Sequence, residues 1–249
     1  MLIVAADLHV RPDTPGERAF LEFLEWLSGS TCDVCFLGDV MELWIGVPGY
    51  GDAIQERFLE WCRREKERRR LYFIEGNHEF FVARHFAADF TAAATDTLAL
   101  DGGALLLCHG DICQSSNGTH LFLRRLMKSW LARALLRWLP GAHRLVAKIQ
   151  ATFRRHSRRR RHRGYLPQAE LERWAAAQRA AHSDVKGVLL GHFHRRLETV
   201  SAQGLRLTVL PAWKTDGEIA FIGDGMKKPV LLPWRSAKAH ELAKGGNRP

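Results

Sequence analysis

The residues able to do chemistry in this 249-residue chain come in short polar clusters, each directly after an apolar run. Asp7-Leu8-His9 follows the run from Leu2 to Ala6, and Gly38-Asp39 follows Val34 to Leu37. Gly76-Asn77-His78-Glu79 follows Leu71 to Ile74. His109-Gly110-Asp111 closes Leu105 to Cys108, and Gly191-His192-Phe193-His194 closes Val188 to Leu190. Any one cluster is equally a polar turn; the recurrence after successive apolar runs is not. Asp7, His9, Asp39, Asn77, His109, His192 and His194 together offer carboxylate, amide and imidazole donors. That mixture suits Mn²⁺, Fe²⁺, Zn²⁺ or Co²⁺ better than Mg²⁺ alone. The donors suffice for two ions with one carboxylate bridging. Two ions about 3.5–4 Å apart can bind a phosphate and activate water between them.

Such donors converge only if the runs before them are neighbouring strands. Four or five apolar residues stopped by glycine predict a buried strand. Open α/β sheets bind ligands at the C-terminal ends of their strands. In an extended segment, period-2 alternation puts Asp7 with His9, and His192 with His194, on one side. Gly38 lets the backbone turn sharply and carries Asp39 over the sheet edge. Between the strands, Glu17 to Leu27 predicts a helix with Phe20, Leu21, Leu24 and Leu27 on one face. Asp52 to Arg69 predicts a second helix, with Arg68-Arg69-Arg70 as its solvated end. Phe80 to Phe86 predicts a short helix, and Glu170 to Ala181 one returning to the sheet. Leu205 to Leu210, Ile219 to Ile222 and Val230 to Leu232 read as closing strands, followed by a polar, frayed tail from Ser236.

A long insertion, about 114 to 183, separates the last two polar clusters. From His120 to Leu139 it predicts one basic amphipathic helix. Leu121, Phe122, Leu126, Met127, Trp130, Leu131, Leu135 and Trp138 alternate there with Arg124, Arg125, Lys128, Arg133 and Arg137. Such a helix either touches a lipid surface or packs on a core, and the sequence leaves both open. The run Arg154 to Arg163 is a solvated segment or a nucleic-acid contact, although it lacks the interleaved aromatics that stack on bases.

Composition bounds the rest. With 46% hydrophobic residues the chain buries one sizeable core. No apolar run approaches the ~20 residues that span a bilayer, and the N-terminus does not resemble a signal peptide. The net charge of +10 points to anionic partners. Five cysteines, an odd number, suggest reduced thiols in a cytosol. Cys32 and Cys35 form a C-x-x-C at the start of a strand, where packing explains them better than zinc or redox chemistry.

In this order and spacing the clusters resemble the five-block signature of the calcineurin-like metallophosphoesterases. The resemblance implies an α/β fold of the α+β type, two mixed sheets flanked by helices in a four-layer αββα sandwich. Residues 1–113 and 184–235 would form that core, 114–183 an inserted helical lid, and 236–249 a polar tail. It further implies that Asp7, His9, Asp39 and His194 hold one metal. Asp39, Asn77, His109 and His192 would hold the other, leaving His78, with Asn77, at the substrate phosphate.

A narrower likeness runs through Gly38 to Gly46, the insertion after His109-Gly110-Asp111, and Ala212-Trp213-Lys214-Thr215-Asp216-Gly217. These resemble the UDP-2,3-diacylglucosamine pyrophosphatases of lipid A biosynthesis. In the third block that subfamily usually carries Arg, where this chain has His78 like the wider superfamily, and Glu79 replaces the more usual Asp. The likeness implies hydrolysis of a nucleotide-diphospho-lipid to UMP and 2,3-diacylglucosamine 1-phosphate, with two Mn²⁺ ions. It places the enzyme in the cytoplasm, peripherally on the inner face of the cell membrane. Trp44, Leu126 and Trp130 are then expected at the substrate, with Arg154, Arg155 and Arg158 near the diphosphate or anionic headgroups. A phosphodiesterase or phosphatase of soluble nucleotides would use the same metals without the lid. A nucleic-acid-binding protein would use the arginine run and leave the metal donors without a role.

Overall fold

The computed structural model describes residues 1–113, 118–139, 141–142, 144, 146, 166–223 and 228–244. The chain opens with β1 (Leu2–Ala5), α1 (Pro15–Ser28), β2 (Asp33–Leu37), β3 (Trp44–Ile45), α2 (Ala53–Lys66) and β4 (Leu71–Ile74). Then follow β5 (Glu79–Phe80), α3 (Val82–His85), β6 (Ala92–Ala94), β7 (Thr97–Leu100) and β8 (Leu105–Cys108). The insertion gives α4 (Gly118–Met127) and α5 (Trp130–Trp138). The remainder is α6 (Gln168–Ala181), β9 (Gly187–Leu190), β10 (Leu197–Val200), β11 (Arg206–Val209), α7 (Trp213–Asp216), β12 (Glu218–Ile222), β13 (Val230–Pro233) and α8 (Ala237–Lys244).

Two mixed sheets face each other. The first runs β13-β12-β1-β2-β4-β6, with β1, β2, β4 and β6 parallel; the second runs β10-β11-β9-β8-β7, with β11, β9 and β8 parallel. Alternation along each strand sorts the side chains into separate layers. Ile3, Val34, Phe36 and Phe73 face Phe20, Phe23 and Phe58 on the helices outside the first sheet. Val4, Cys35, Leu37 and Ile74 point the other way and meet Leu105, Leu107 and Leu189 between the sheets. Leu106, Leu190 and Val209 turn outward from the second sheet onto Leu171 and Ala175 of α6. These three apolar interfaces make the four layers of the expected αββα sandwich.

The helices form where their sequences allow. Pro15 pre-sets the first turn of α1, whose Phe20, Phe23, Leu24 and Leu27 are buried. Asp52 caps α2 reciprocally with Gln55. Cys32 and Cys35 are free and buried, so they pack.

Four expectations need correction. Arg69 is not a solvated helix end: it is 5% exposed, and its guanidinium lies 2.8 Å from Glu65 and bonds Ser30 and the Cys32 carbonyl. Residues 236–244 are not a frayed tail, because Ala239 and Ala243 of α8 are buried in the first-sheet core; residues 245–249 lie outside the described residues. The single helix from His120 to Leu139 is two, interrupted where the Ser129 side chain caps α5 by accepting from the Ala132 amide at 3.2 Å. The return helix α6, expected within the lid, is instead an outer layer of the sandwich.

Candidate metal centre

All seven expected ligands meet at the C-terminal ends of β1, β2, β4, β8 and β9. The Nε2 atoms of His9 and His194 lie 3.3 Å apart, and Asp7 Oδ1 is 3.9 Å from the first and 3.2 Å from the second. Asp39 Oδ2 reaches both ways, 3.6 Å from His9 Nε2 and 3.5 Å from His109 Nε2. On the far side Asn77 Oδ1 stands 3.3 Å from His109 Nε2 and 2.8 Å from His192 Nδ1. Two donor sets therefore share one carboxylate, as two ions with Asp39 between them require.

The residues fit a pair of divalent cations on physical grounds. Asp7 Oδ1 is buried without a hydrogen bond while facing two imidazole nitrogens. A carboxylate oxygen is not left so unless something else satisfies it. Three overlapping groups could hold an ion: Asp7 with His9 and His194, Asp7 with Asp39 and His109, and His9 with Asp39 and His78. Burial and the neighbouring charges act strongly on these groups. Burial would raise the Asp39 carboxyl, yet His78, His109 and His9 hold it well below the usual carboxylate range. Burial pulls His9 far down, and burial with the charge of His109 pulls His192 down to about 4.

The backbone that delivers these groups is not the one expected. Asp7, His9, Asp39, His192 and His194 all have positive φ, between 46° and 69°. They are not on extended strands, so period-2 alternation is not what brings Asp7 to His9 or His192 to His194. The strands stop two residues before Asp7, Asp39 and His192 and four before His9 and His194, and each of these five sits in a left-handed kink that non-glycine residues rarely adopt. Such strain persists only where the surroundings over-determine it. Here Asp7 N donates to the Gly38 carbonyl at 3.1 Å, His9 N to the Asp39 carbonyl at 2.8 Å, and His192 N to Asp7 Oδ2 at 2.8 Å. Gly38 and Gly76 make the approach possible, since a Cβ on the first would collide with the His109 ring and on the second with the Asp39 carboxylate.

One residue has a larger part than its sequence suggested. Glu79 is fully buried, and its carboxylate accepts from the amides of Asp39 and Gly76 at 2.7 Å and of Val40 at 2.6 Å. It laces the β2 and β4 loops together behind the ligands. Burial, and the charge of Asp39, push it up to about 7. The sequence signal was a charged residue placed directly after the ligand run, beside Gly76.

His78 is held by Nδ1, 2.6 Å from the Glu42 carbonyl oxygen, so that Nε2 faces the centre 3.8 Å from Asp39 Oδ2. Trp44 is not at the substrate: it is 1% exposed and packs on Phe58, Phe73 and Phe86, because β3 pairs with β5 and turns its ring into the core. Leu126 and Trp130 are 45% and 75% exposed. Arg154, Arg155 and Arg158 lie outside the described residues.

Comparison with known proteins agrees with the geometry. The calcineurin-like phosphoesterase family matches residues 1–196. A protein of Stutzerimonas stutzeri described as UDP-2,3-diacylglucosamine hydrolase is 30% identical over 231 residues, covering 87% of this chain and 92% of that one. One of Coxiella burnetii with the same description is 27% identical over 225 residues, covering 86% and 90%. Among solved structures, a dimetal phosphatase from Danio rerio aligns over 94% of this chain and 98% of that chain, at 11% identity and a TM-score of 0.43. With two donor sets joined through Asp39 and a family match running through every expected ligand, this chain belongs to the calcineurin-like phosphoesterases and is a metal-dependent phosphohydrolase.

Proposed function

We propose that the protein hydrolyses the diphosphate of UDP-2,3-diacylglucosamine, releasing UMP and 2,3-diacylglucosamine 1-phosphate, and thereby serves lipid A biosynthesis. The similarity to relatives of that description supports the substrate. The observation that carries the reading is the apolar surface beside the centre. Phe122, Trp130 and Trp138 are 68%, 75% and 75% exposed, and Leu131, Leu135 and Leu139 about half. A surface of this kind marks a binding site for something apolar. Tyr50 ties α5 to the core by donating to the Leu136 carbonyl at 2.7 Å.

Asp7, His9, Asp39 and His194 would hold one ion, and Asp39, Asn77, His109 and His192 the other, with Mn²⁺ the expected metal. Bound there, two cations supply Lewis-acid polarisation of a phosphoryl oxygen and activation of water. The chain's own residues do the rest. Asp39 fixes the relation of the two halves. His78, anchored through Nδ1, offers Nε2 to a phosphoryl or leaving-group oxygen. The exposed face of α4 and α5 receives the acyl chains, each buried methylene contributing about 0.8 kcal/mol. The same face, with Arg137 stacked 5.4 Å over Trp138, suits the headgroup region of an anionic bilayer. Among the described residues no helix is long and apolar enough to cross a membrane, so contact would be peripheral.

The test is hydrolysis of a panel of nucleotide diphospho-sugars, acylated and not, with Mn²⁺ present. The acylated member should be preferred. A second reading, a phosphodiesterase or phosphatase of soluble nucleotides, is favoured by His78, which stands where the narrower group usually has Arg. Equal or greater activity on the unacylated members would establish it instead.

A further inference from the structure

Two buried acids beside the centre are not among its ligands. Glu75 and Asp111 are 2% and 1% exposed, the first two residues before Asn77 and the second two after His109. Both are met by basic side chains from the insertion. Lys128, just past the end of α4, places Nζ 3.0 Å from the Glu75 carboxylate and donates to the Gly76 carbonyl at 2.9 Å. Arg124 on α4 donates through Nε to Asp111 Oδ2 at 2.5 Å. Its Nη2 donates to Asp96 Oδ1 at 2.6 Å and to the Thr95 carbonyl at 3.0 Å. The Lys128–Glu75 and Arg124–Asp111 pairs are enclosed, with the Lys128 and Arg124 side chains only 7% and 10% exposed, whereas Asp96 lies at the surface.

We propose that Arg124 and Lys128 are positioning residues for the metal centre, bracing from outside the loops that carry Asn77 and His109. The inserted helix is then part of the centre's support as well as a cover for substrate. The inference rests on Asn77, His109 and His192 being ligands of one ion. The Gly76 carbonyl belongs to the peptide that enters Asn77, so the lysine fixes the orientation of the amide ligand directly. Glu75 is clamped from its other side by the Ala83 amide at 2.8 Å, which leaves the loop little freedom while Lys128 is present. The other half of the centre has no such dependence. Asp7 and His9 are held by the sandwich itself, through the Gly38 and Asp39 carbonyls, and His194 faces Asp7 at 3.2 Å. Loss of the brace should therefore weaken one ion and spare the other.

Coulomb attraction alone predicts the reverse sign for a lysine lost near a cation site. Removing a positive charge should then tighten metal binding. The decisive variant combines Lys128→Met with Glu75→Gln, which leaves the local charge unchanged and removes the brace. Ion content under rising chelator, starting from protein loaded with Mn²⁺, should show wild type keeping two ions. The double variant should release one at roughly tenfold lower chelator, the scale on which groups supporting a ligand act. Lys128→Arg should restore much of the loss. If the double variant does not fold by circular dichroism, Arg124→Lys, which keeps the charge and loses the fork to Asp96 and Asp111, takes its place with the same expectation. Retention of both ions at wild-type chelator, or equal weakening of both, overturns the proposal. A wild-type protein holding fewer than two ions would overturn the ligand assignment beneath it.

Discussion

Trp44 and Trp130 stand for the two halves of this molecule. The first is 1% exposed among Phe58, Phe73 and Phe86; the second is 75% exposed on a helix with no buried residue among those described. The sandwich covers its apolar residues with its own chain and spends its strain at the strand ends, where five ligands take left-handed backbone. Among the described residues the inserted helices leave Phe122, Trp130 and Trp138 largely exposed and are fastened at a few polar points. The expected ligands thus sit in the half that is tightly hydrogen-bonded, and the exposed aromatic side chains in the other. The same residue type must be read through its element before it is given a role.

The comparison breaks most sharply at Asp39, which both donor sets use. Asp39→Ala should abolish hydrolysis and remove at least one ion, whereas substitutions on the exposed face of α5 should leave metal content at two. Elemental analysis is the measurement, and two ions still bound without Asp39 would sink its bridging role. His78 should give the next largest effect. His78→Ala should lower kcat by ~10²–10⁴-fold, the range for a general acid or base, with ion content unchanged. Because His78 also falls in a possible donor group with His9 and Asp39, loss of an ion in that variant would make it a ligand.

The tryptophans themselves give a third contrast, in stability. Trp44→Ala leaves a cavity in the packed aromatic cluster and should cost about 3–5 kcal/mol. Trp130→Ala removes almost nothing from the folded state and should change stability by less than about 0.5 kcal/mol. Denaturant unfolding of the two variants measures the difference, and comparable losses would mean that α5 is covered by the protein's own chain in solution.

The strands that carry the site were legible because their apolar runs are short and each ends at a polar cluster, whereas the half-buried β6, β7 and β10 carry no such signal. The period-2 sorting of Val34 and Phe36 from Cys35 and Leu37 follows from the pleat alone. The ligands were legible by type and order, but the backbone that aims them was not. Nothing in Asp7-Leu8-His9 announces left-handed conformations, since those are imposed by hydrogen bonds to the distant Gly38 and Asp39 carbonyls. Arg69, Glu75 and Asp111 were obscure for the same reason. The partners of Glu75 and Asp111 come from the insertion, and Arg69 pairs with Glu65 one turn back but is buried by Ser30 and the Cys32 carbonyl, so a buried ion pair looks in sequence like a solvated charge. Trp44 was expected at the substrate from the narrower resemblance alone, and β3 and β5, of two residues each, are too short to show a pattern that would have turned it into the core.

The smallest expected effect is the most selective. Leu126→Ala with Trp130→Ala removes apolar surface from the insertion without touching Arg124, Lys128 or any ligand. Both side chains are already exposed, so neither the fold nor the metals should respond. Full burial of one large apolar side chain contributes about 1.5–3 kcal/mol, which is roughly tenfold to a hundredfold or somewhat more in affinity. KM for an acylated nucleotide-diphospho-sugar should therefore rise by at least tenfold, with kcat little changed. A small aryl phosphodiester needs only the metals and His78, and should be turned over as by wild type. Equal losses on both substrates would show that these side chains support the centre, as Arg124 and Lys128 are proposed to do. No loss on either would leave the exposed face without a part in catalysis and favour soluble nucleotides as substrates.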